Sequence, residues 1–228
     1  MEKEIYLCGV SHLDIAGPDR LRNVLNWIEP DYIAIASYDD ISEAVLKQRR
    51  KFLRYNRETT LNRVKEEAQI PIDEIRNDTL LTMLGTKGYD IWIPYDYAKS
   101  NGAQIIHLED ESSKSILAKR YLYNILGNEE SESSFASMLR LEPDLLKKLL
   151  DCYYESKPNG EYTGTELEKR NRIFSEKINN LDGKVLAITG RSHIFGSEPT
   201  LQTLLRNHNL TAFDLIDAKH LHTMMDDD

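Results

Sequence analysis

The chain has 228 residues, 40% hydrophobic and 29% charged, with a formal net charge of −9 at pH 7. That length supports one large core or at most two small domains, and the composition is that of a soluble globular protein. The acidic balance argues against nucleic acid as the main partner, because phosphate recognition needs a basic footprint.

The two cysteines, Cys8 and Cys152, have no spacing that suggests a disulfide framework or a metal cluster. The segment Met1-Glu2-Lys3-Glu4 lacks the basic and apolar regions of a secretory signal. No run approaches about 18 consecutive apolar residues, so no membrane span is expected. A cytoplasmic location is the expectation.

The first predicted strand is the apolar run Ile5 to Cys8, and it leads into Gly9-Val10-Ser11-His12. Pro18 and Asp19 then open a helix whose apolar positions, Leu21, Val24, Leu25 and Ile28, recur at helical spacing. A second strand, Tyr32 to Ala36, is apolar on both faces, as a central parallel strand is. Asp39 and Asp40 lie just past it. The next helix, from about Ser42 to Asn56, carries Lys47, Arg49, Arg50, Lys51 and Arg54, with Arg57 just beyond. With no aromatic platform or binding motif beside it, this basic run reads as a solvated face or a partner contact.

Residues 58 to 84 read as helical, interrupted by Pro71. Gly85 and Gly88 punctuate the chain, and a helix from about Tyr95 to Asn101 ends at Gly102. The third strand, Ala103 to Leu108, runs directly into Glu109-Asp110-Glu111. From 112 to about 150 the chain is helical, with a connection near 127 to 134 and a helix opened by Pro143 and ending near Cys152. After a turn at Lys157-Pro158-Asn159-Gly160 comes a helix with Leu167, Asn171, Phe174, Ile178 and Leu181 on one stripe. Asn171 is the polar member of that stripe, and Arg170 sits beside it. A buried polar group needs a partner, so this pair is a candidate for the site.

The strand Val185 to Ile188 then leads into Gly190-Arg191-Ser192-His193, a second G-x-S-H. A helix beginning near Pro199 and a strand near Leu210 to Ile216 follow. His220 and His222, near the end, resemble a metal pair only superficially. Strand, G-x-S-H turn, helix and strand are thus written twice, at the two ends of the chain. The expected fold is α/β: a single domain, 1–228, of two related βαβ halves with a mostly parallel sheet. Helical insertions are expected at about 42–90 and 112–181, with a short tail at 218–228. Homodimerisation through the insertions is plausible, although no seam pattern assigns it.

The repeated turn has specific chemistry. A glycine at the carboxyl end of a parallel strand permits a tight bend or close backbone approach. The histidine three residues on stands at the strand-to-helix junction, where open α/β sheets place their ligands. It can serve there as metal ligand or proton carrier, while the serine can cap the following helix.

These residues resemble the TraB/PrgY/GumN family. The resemblance is carried by Gly9-Val10-Ser11-His12 with Pro30-Asp31-Tyr32-Ile33-Ala34-Ile35, by Tyr95-Asp96-Tyr97-Ala98 through Gly102-Ala103 to Leu108, and by Arg170-Asn171, Phe174, Ile178 and Val185 to His193. The wider group includes Tiki-type metal-dependent proteases, erythromycin-esterase-like enzymes and haem-iron-binding ChaN-like proteins. The resemblance implies a duplicated α/β fold with a cleft where the two turns converge, His12 and His193 acting in it, and Arg170 and Asn171 reaching in. The sequence departs from the family at Ala36, where the pattern has glutamate, at Lys169, where an acidic residue is common, and at Asp96, which stands for a glutamate. Asp39, Asp40, Glu109 or Asp110 could supply the missing charge.

Two functions follow as expectations. One is a metal-dependent, peptidase-like hydrolase in which His12, His193 and a carboxylate, Glu109, hold a divalent ion (Mn, Co, Zn or Fe) that activates water. Arg170 would then stabilise the oxyanion, Asn171 would orient the substrate, and Ser11, Ser192, Arg191 and Asp96 would contact it. The other is a non-catalytic peptide- or anion-binding protein that uses Arg170, Arg191 and the histidines as a cationic pocket. A haem or iron carrier rests on the wider group alone.

Overall fold

The computed structural model describes residues 3–12, 14–54, 76–110, 140–155 and 164–220. Its centre is an all-parallel five-stranded sheet. The strands are β1 (Glu4–Val10), β2 (Tyr32–Ile35), β3 (Gln104–His107), β4 (Lys184–Gly190) and β5 (Asn209–Asp214). Among the described residues the helices are α1 (Gly17–Ile28), α2 (Asp39–Arg54), α3 (Asn77–Thr86), α4 (Tyr89–Asn101), α5 (Pro143–Glu155), α6 (Gly164–Asn179), α7 (Ser192–Phe195) and α8 (Leu201–Leu204), and a 3-10 segment runs Leu215–His220. The α/β fold expected from the sequence is thus present.

The strand order β3-β2-β4-β1-β5 explains how the repeat is used. In the first unit, β1–α1–β2, the strands are separated by β4. In the second, β4–α7–α8–β5, they are separated by β1. Each unit therefore encloses the first strand of the other. Exchanging β1 with β4 and β2 with β5 simply reverses the order of those four strands, which is a two-fold relation along the strand direction. The interlacing pairs β1 with β4, Val10 opposite Gly190, so both G-x-S-H turns leave the same carboxyl edge side by side.

Both faces of the sheet are covered, and strand alternation sorts the core. Tyr6, Cys8, Val10, Ile33, Ile35, Leu186 and Ile188 face one layer and pack on α1 and α4 through Leu21, Val24, Leu25, Trp92 and Ile93. Ile5, Leu7, Ala34, Val185 and Ala187 face the other, against Phe174 and Ile178 of α6 and Leu201 and Leu205 around α8. A small third cluster, Leu80, Met83 and Leu146, joins α3 to α5. No helix among the described residues is long and apolar enough to cross a membrane.

Two elements differ from expectation. Helix α4 starts at Tyr89 and not near Tyr95, running straight through Pro94. Burial of Tyr89, Ile91, Trp92, Ile93 and Pro94 outweighs the lost backbone donor, and Gly88 enters the helix at φ 68°. The helix expected to begin near Pro199 is the single turn α8, and an unexpected short helix, α7, precedes it directly after the second turn. The arginine-rich helix α2 is used in part for packing. Arg49 donates to the Gly85 carbonyl at 2.8 Å and lies 4.2 Å over the Trp92 ring. Arg57, most of the 58–84 helix, residues 112–139 and His222 lie outside the described residues.

Candidate functional site

The two motif histidines stand at the same edge in opposite environments. His12 stands two residues past the end of β1 and its side chain is 70% exposed. Its Nδ1 lies 2.9 Å from Oδ2 of Asp90, in the first turn of α4. Burial raises the Asp90 carboxyl, but the His12 charge and hydrogen bond outweigh it and hold that carboxyl below its ordinary value. His193, in α7, is only 2% exposed. Its Nδ1 is 2.6 Å from Oδ1 of Asn171 on α6. An amide oxygen only accepts, so Nδ1 carries the proton and Nε2 the lone pair. Asn171 is held in turn by donating Nδ2 to the Pro199 carbonyl at 2.8 Å.

Burial, then the charges of Arg170 and His12, push the His193 imidazole well below its usual 6.5. It is therefore a neutral base at physiological pH. Its ring packs at 5.0 Å on Phe174, and the Arg170 guanidinium lies 5.5 Å over that same phenylalanine. Arg170 forms a buried ion pair with Glu109, through Nη2 to Oε1 and Nε to Oε2 at 3.4 Å. Glu109 sits at the end of β3, its backbone donating to Ser37, next to Ala36 at the end of β2. Lys177 fastens that corner by donating to the His107 and Glu109 carbonyls, each at 2.9 Å.

Other expected site residues have different employment. Arg191 is buried and grips Asp214 at the end of β5, with Nε to Oδ1 at 2.7 Å and Nη2 to Oδ2 at 2.8 Å. It is a clamp between strands β4 and β5, whose ends are separated by β1, and is committed to the fold. With Arg170 on Glu109 and Arg191 on Asp214, each cation expected in an anion pocket faces a buried carboxylate. Asp96 is exposed on α4, in the field of Arg49. Ser192 is the first residue of α7 and half-buried. Ser11 enters through its backbone: its N–H donates to the Tyr154 hydroxyl and its carbonyl accepts from the Tyr89 hydroxyl, both at 2.9 Å.

The glycine of the first turn is required by this crowding. A Cβ at Gly9 would lie 2.8 Å from Oδ1 of Asp214 and 3.3 Å from both Arg191 and Phe195. The expected metal trio is not assembled. Glu109 pairs with Arg170, His12 with Asp90, and among the described residues no group of three His, Cys, Asp or Glu side chains could hold an ion. A cavity of about 660 Å³ opens at the opposite, amino-terminal edge, lined by Glu29, Asp31, Tyr32, Tyr97 and Asp182 among others, and is remote from both turns.

Asp90, Tyr89 and Tyr154 are the residues that sequence reasoning missed. Asp90 lies near the start of the apolar run Tyr89 to Pro94, and only the packing of α4 on the first half brings it to His12. No family model matches the chain, and no curated protein matches it. Function is therefore read from geometry.

Proposed function

We propose that the chain is a hydrolase of acyl bonds that works by general acid–base catalysis between His12 and His193. The observation that carries this reading is the paired but unequal setting of the two imidazoles. Each is oriented at Nδ1 by an oxygen, but one has a carboxylate and solvent while the other has a neutral amide and burial. Environments that push two titratable groups apart define an acid and a base. Neutral His193 takes a proton from water at Nε2, and the resulting hydroxide adds to the acyl carbon. Asn171, by accepting the hydrogen bond from Nδ1, leaves Nε2 as the basic nitrogen. As the tetrahedral intermediate collapses, protonated His12, stabilised by Asp90, gives its proton to the leaving oxygen or nitrogen. Proton transfer from His193 through water to His12 resets the pair.

Arg170 acts on this reaction through charge. Its proximity disfavours imidazolium at position 193, while Glu109 keeps the guanidinium itself buried and fixed. The compensated arginines favour this reading over an anion-binding protein. The TraB-like resemblance supports hydrolysis as the reaction, in the metal-dependent form of the second reading.

A second reading rests on the same Nδ1 contacts, since metal-bound histidines usually donate their other nitrogen to an oxygen acceptor. The two imidazoles would then be ligands to a Mn, Co, Zn or Fe ion, but the described residues offer no group of three side chains to complete the site. The test is a screen of aryl esters and chromogenic peptides with the wild-type protein, His12→Gln and His193→Gln, each with and without chelator. Loss of about 10²–10⁴-fold in rate in either variant, with no effect of chelator, is expected. Chelator-sensitive turnover would favour the metal reading. Unchanged turnover in both variants would remove the histidines from the chemistry.

A further inference from the structure

The last turn of α5 lies between the two G-x-S-H turns and touches both. The Tyr154 hydroxyl accepts from the Ser11 N–H at 2.9 Å and donates to Oδ2 of Asp14 at 3.2 Å. Asp14 is itself buried, receives Arg20 on the same oxygen at 2.8 Å, and accepts the Ala16 N–H at 2.9 Å on the other. Arg20 continues to Asp151 on α5 at 2.7 Å. The main chain of Tyr154 serves the second turn, because its carbonyl accepts from Nη2 of Arg191 at 2.6 Å. That carbonyl belongs to the last turn of α5, where carbonyls lack helical partners and a cation is favoured. The Arg191 guanidinium also lies 5.2 Å over the Tyr154 ring.

One residue thus reaches the first turn with its hydroxyl and the second with its carbonyl and ring. Ser11 is the residue immediately before His12, and both polar groups of its backbone are held by tyrosines, the N–H by Tyr154 and the carbonyl by Tyr89. A backbone fixed at both ends of one residue leaves the next side chain little freedom of direction. Asp90, which orients His12, follows Tyr89 directly, so the clamp and the orienting carboxylate share the start of α4.

We infer that Tyr154 is a positioning residue: its hydroxyl fixes the Ser11 backbone, and thereby the direction of His12 towards Asp90, while its backbone ties that turn to Arg191 beside His193. It acts through Ser11 and touches no reacting atom. Burial, then the Asp14 carboxylate, raise the phenol well above its ordinary value, so the O–H proton stays in place across the accessible pH range. The inference rests on the acid–base reading for its consequence in rate, but not for its consequence in structure.

The test compares wild type with Tyr154→Phe, which keeps the ring and the carbonyl and removes only the hydroxyl. The His12 ring signals, assigned by their loss in His12→Gln, are followed in a pH-titrated proton NMR series, with ester or peptide turnover measured in parallel. The expected result is a displaced His12 titration, an unmoved His193 ring, and a roughly tenfold fall in kcat with KM retained, the scale of one buried hydrogen bond. An unchanged His12 titration in folded Tyr154→Phe overturns the inference, whatever the turnover. If Tyr154→Phe does not fold, Tyr89→Phe releases the same residue from its carbonyl side and must displace His12 in the same way. A displaced His12 together with turnover indifferent to His12→Gln would leave the positioning role standing and overturn the acid–base reading.

Discussion

The two G-x-S-H turns share a sequence pattern, a sheet edge and a preceding parallel strand, yet they have been given opposite surroundings. The first places its histidine in solvent against a carboxylate from α4. The second places its histidine under α6, against an amide and near a buried arginine. The second residue of each motif differs as well: Val10 fills the core, whereas Arg191 clamps β5 through Asp214. A duplicated turn therefore supplies two like side chains, and the partners contributed by neighbouring helices make them unlike. The proposed acid and base are thus distinguished by environment and not by residue type.

The largest break in this comparison comes from the buried arginines. Arg191→Ala and Arg170→Ala each leave a buried carboxylate without its cation and should cost about 3–5 kcal/mol in chemical denaturation. They should differ in their effect on the second histidine. Arg170→Ala removes a charge that holds the His193 imidazole down, so its protonation should move to higher pH.

Gly9→Ala should come next, at about 1–3 kcal/mol, because the new methyl group overlaps the Asp214 carboxylate at the end of the adjoining strand. The equivalent change at Gly190 meets only the His193 ring at an ordinary 3.9 Å. Comparing the melting midpoints of Gly9→Ala and Gly190→Ala therefore separates the crowded turn from the open one.

The histidines can be compared through pH. His193 binds a proton more readily in the unfolded chain, near 6.5, than in the native state. Its contribution to stability is therefore present above about pH 6.5 and is lost as the pH falls from there towards the lower native value. His193→Gln should flatten the slope of stability against pH in that window. Asn171→Asp should act in the opposite sense to burial: a carboxylate at Nδ1 favours imidazolium, so the acid limb of the activity profile should move up by one or more pH units, on the order of a close ion pair. The smallest effect is expected at Asp96→Asn, an exposed change on α4, which should alter stability by less than about 0.5 kcal/mol and leave turnover unchanged.

Much of this arrangement could be read from the residues. The buried strands are short apolar runs, and the repeated turn placed both histidines at carboxyl ends of strands. Asn171 was visible as a polar residue on the stripe that carries Phe174 and Ile178, and it does meet His193. What was not legible depends on chain brought from elsewhere. Asp90 becomes an orienting group only because α4 begins early and packs on α1. Tyr154 becomes the tie between the turns only because α5 ends between them. Arg191 and Arg170 looked like free cations because their partners, Asp214 and Glu109, are distant in sequence and are brought close only by strand order. Local pattern marks the edge of a sheet; tertiary packing decides what each side chain there can do.

The most direct measurement is a proton NMR titration of the histidine rings of the native protein, with His12 and His193 assigned from their glutamine variants. The account predicts that His12 titrates reversibly, with an apparent midpoint that falls in Asp90→Asn, while His193 stays neutral with its Nδ1 proton slowly exchanging down to the onset of acid unfolding. A His193 ring that protonates in the folded protein at its ordinary value, or two histidines that titrate identically, would contradict it.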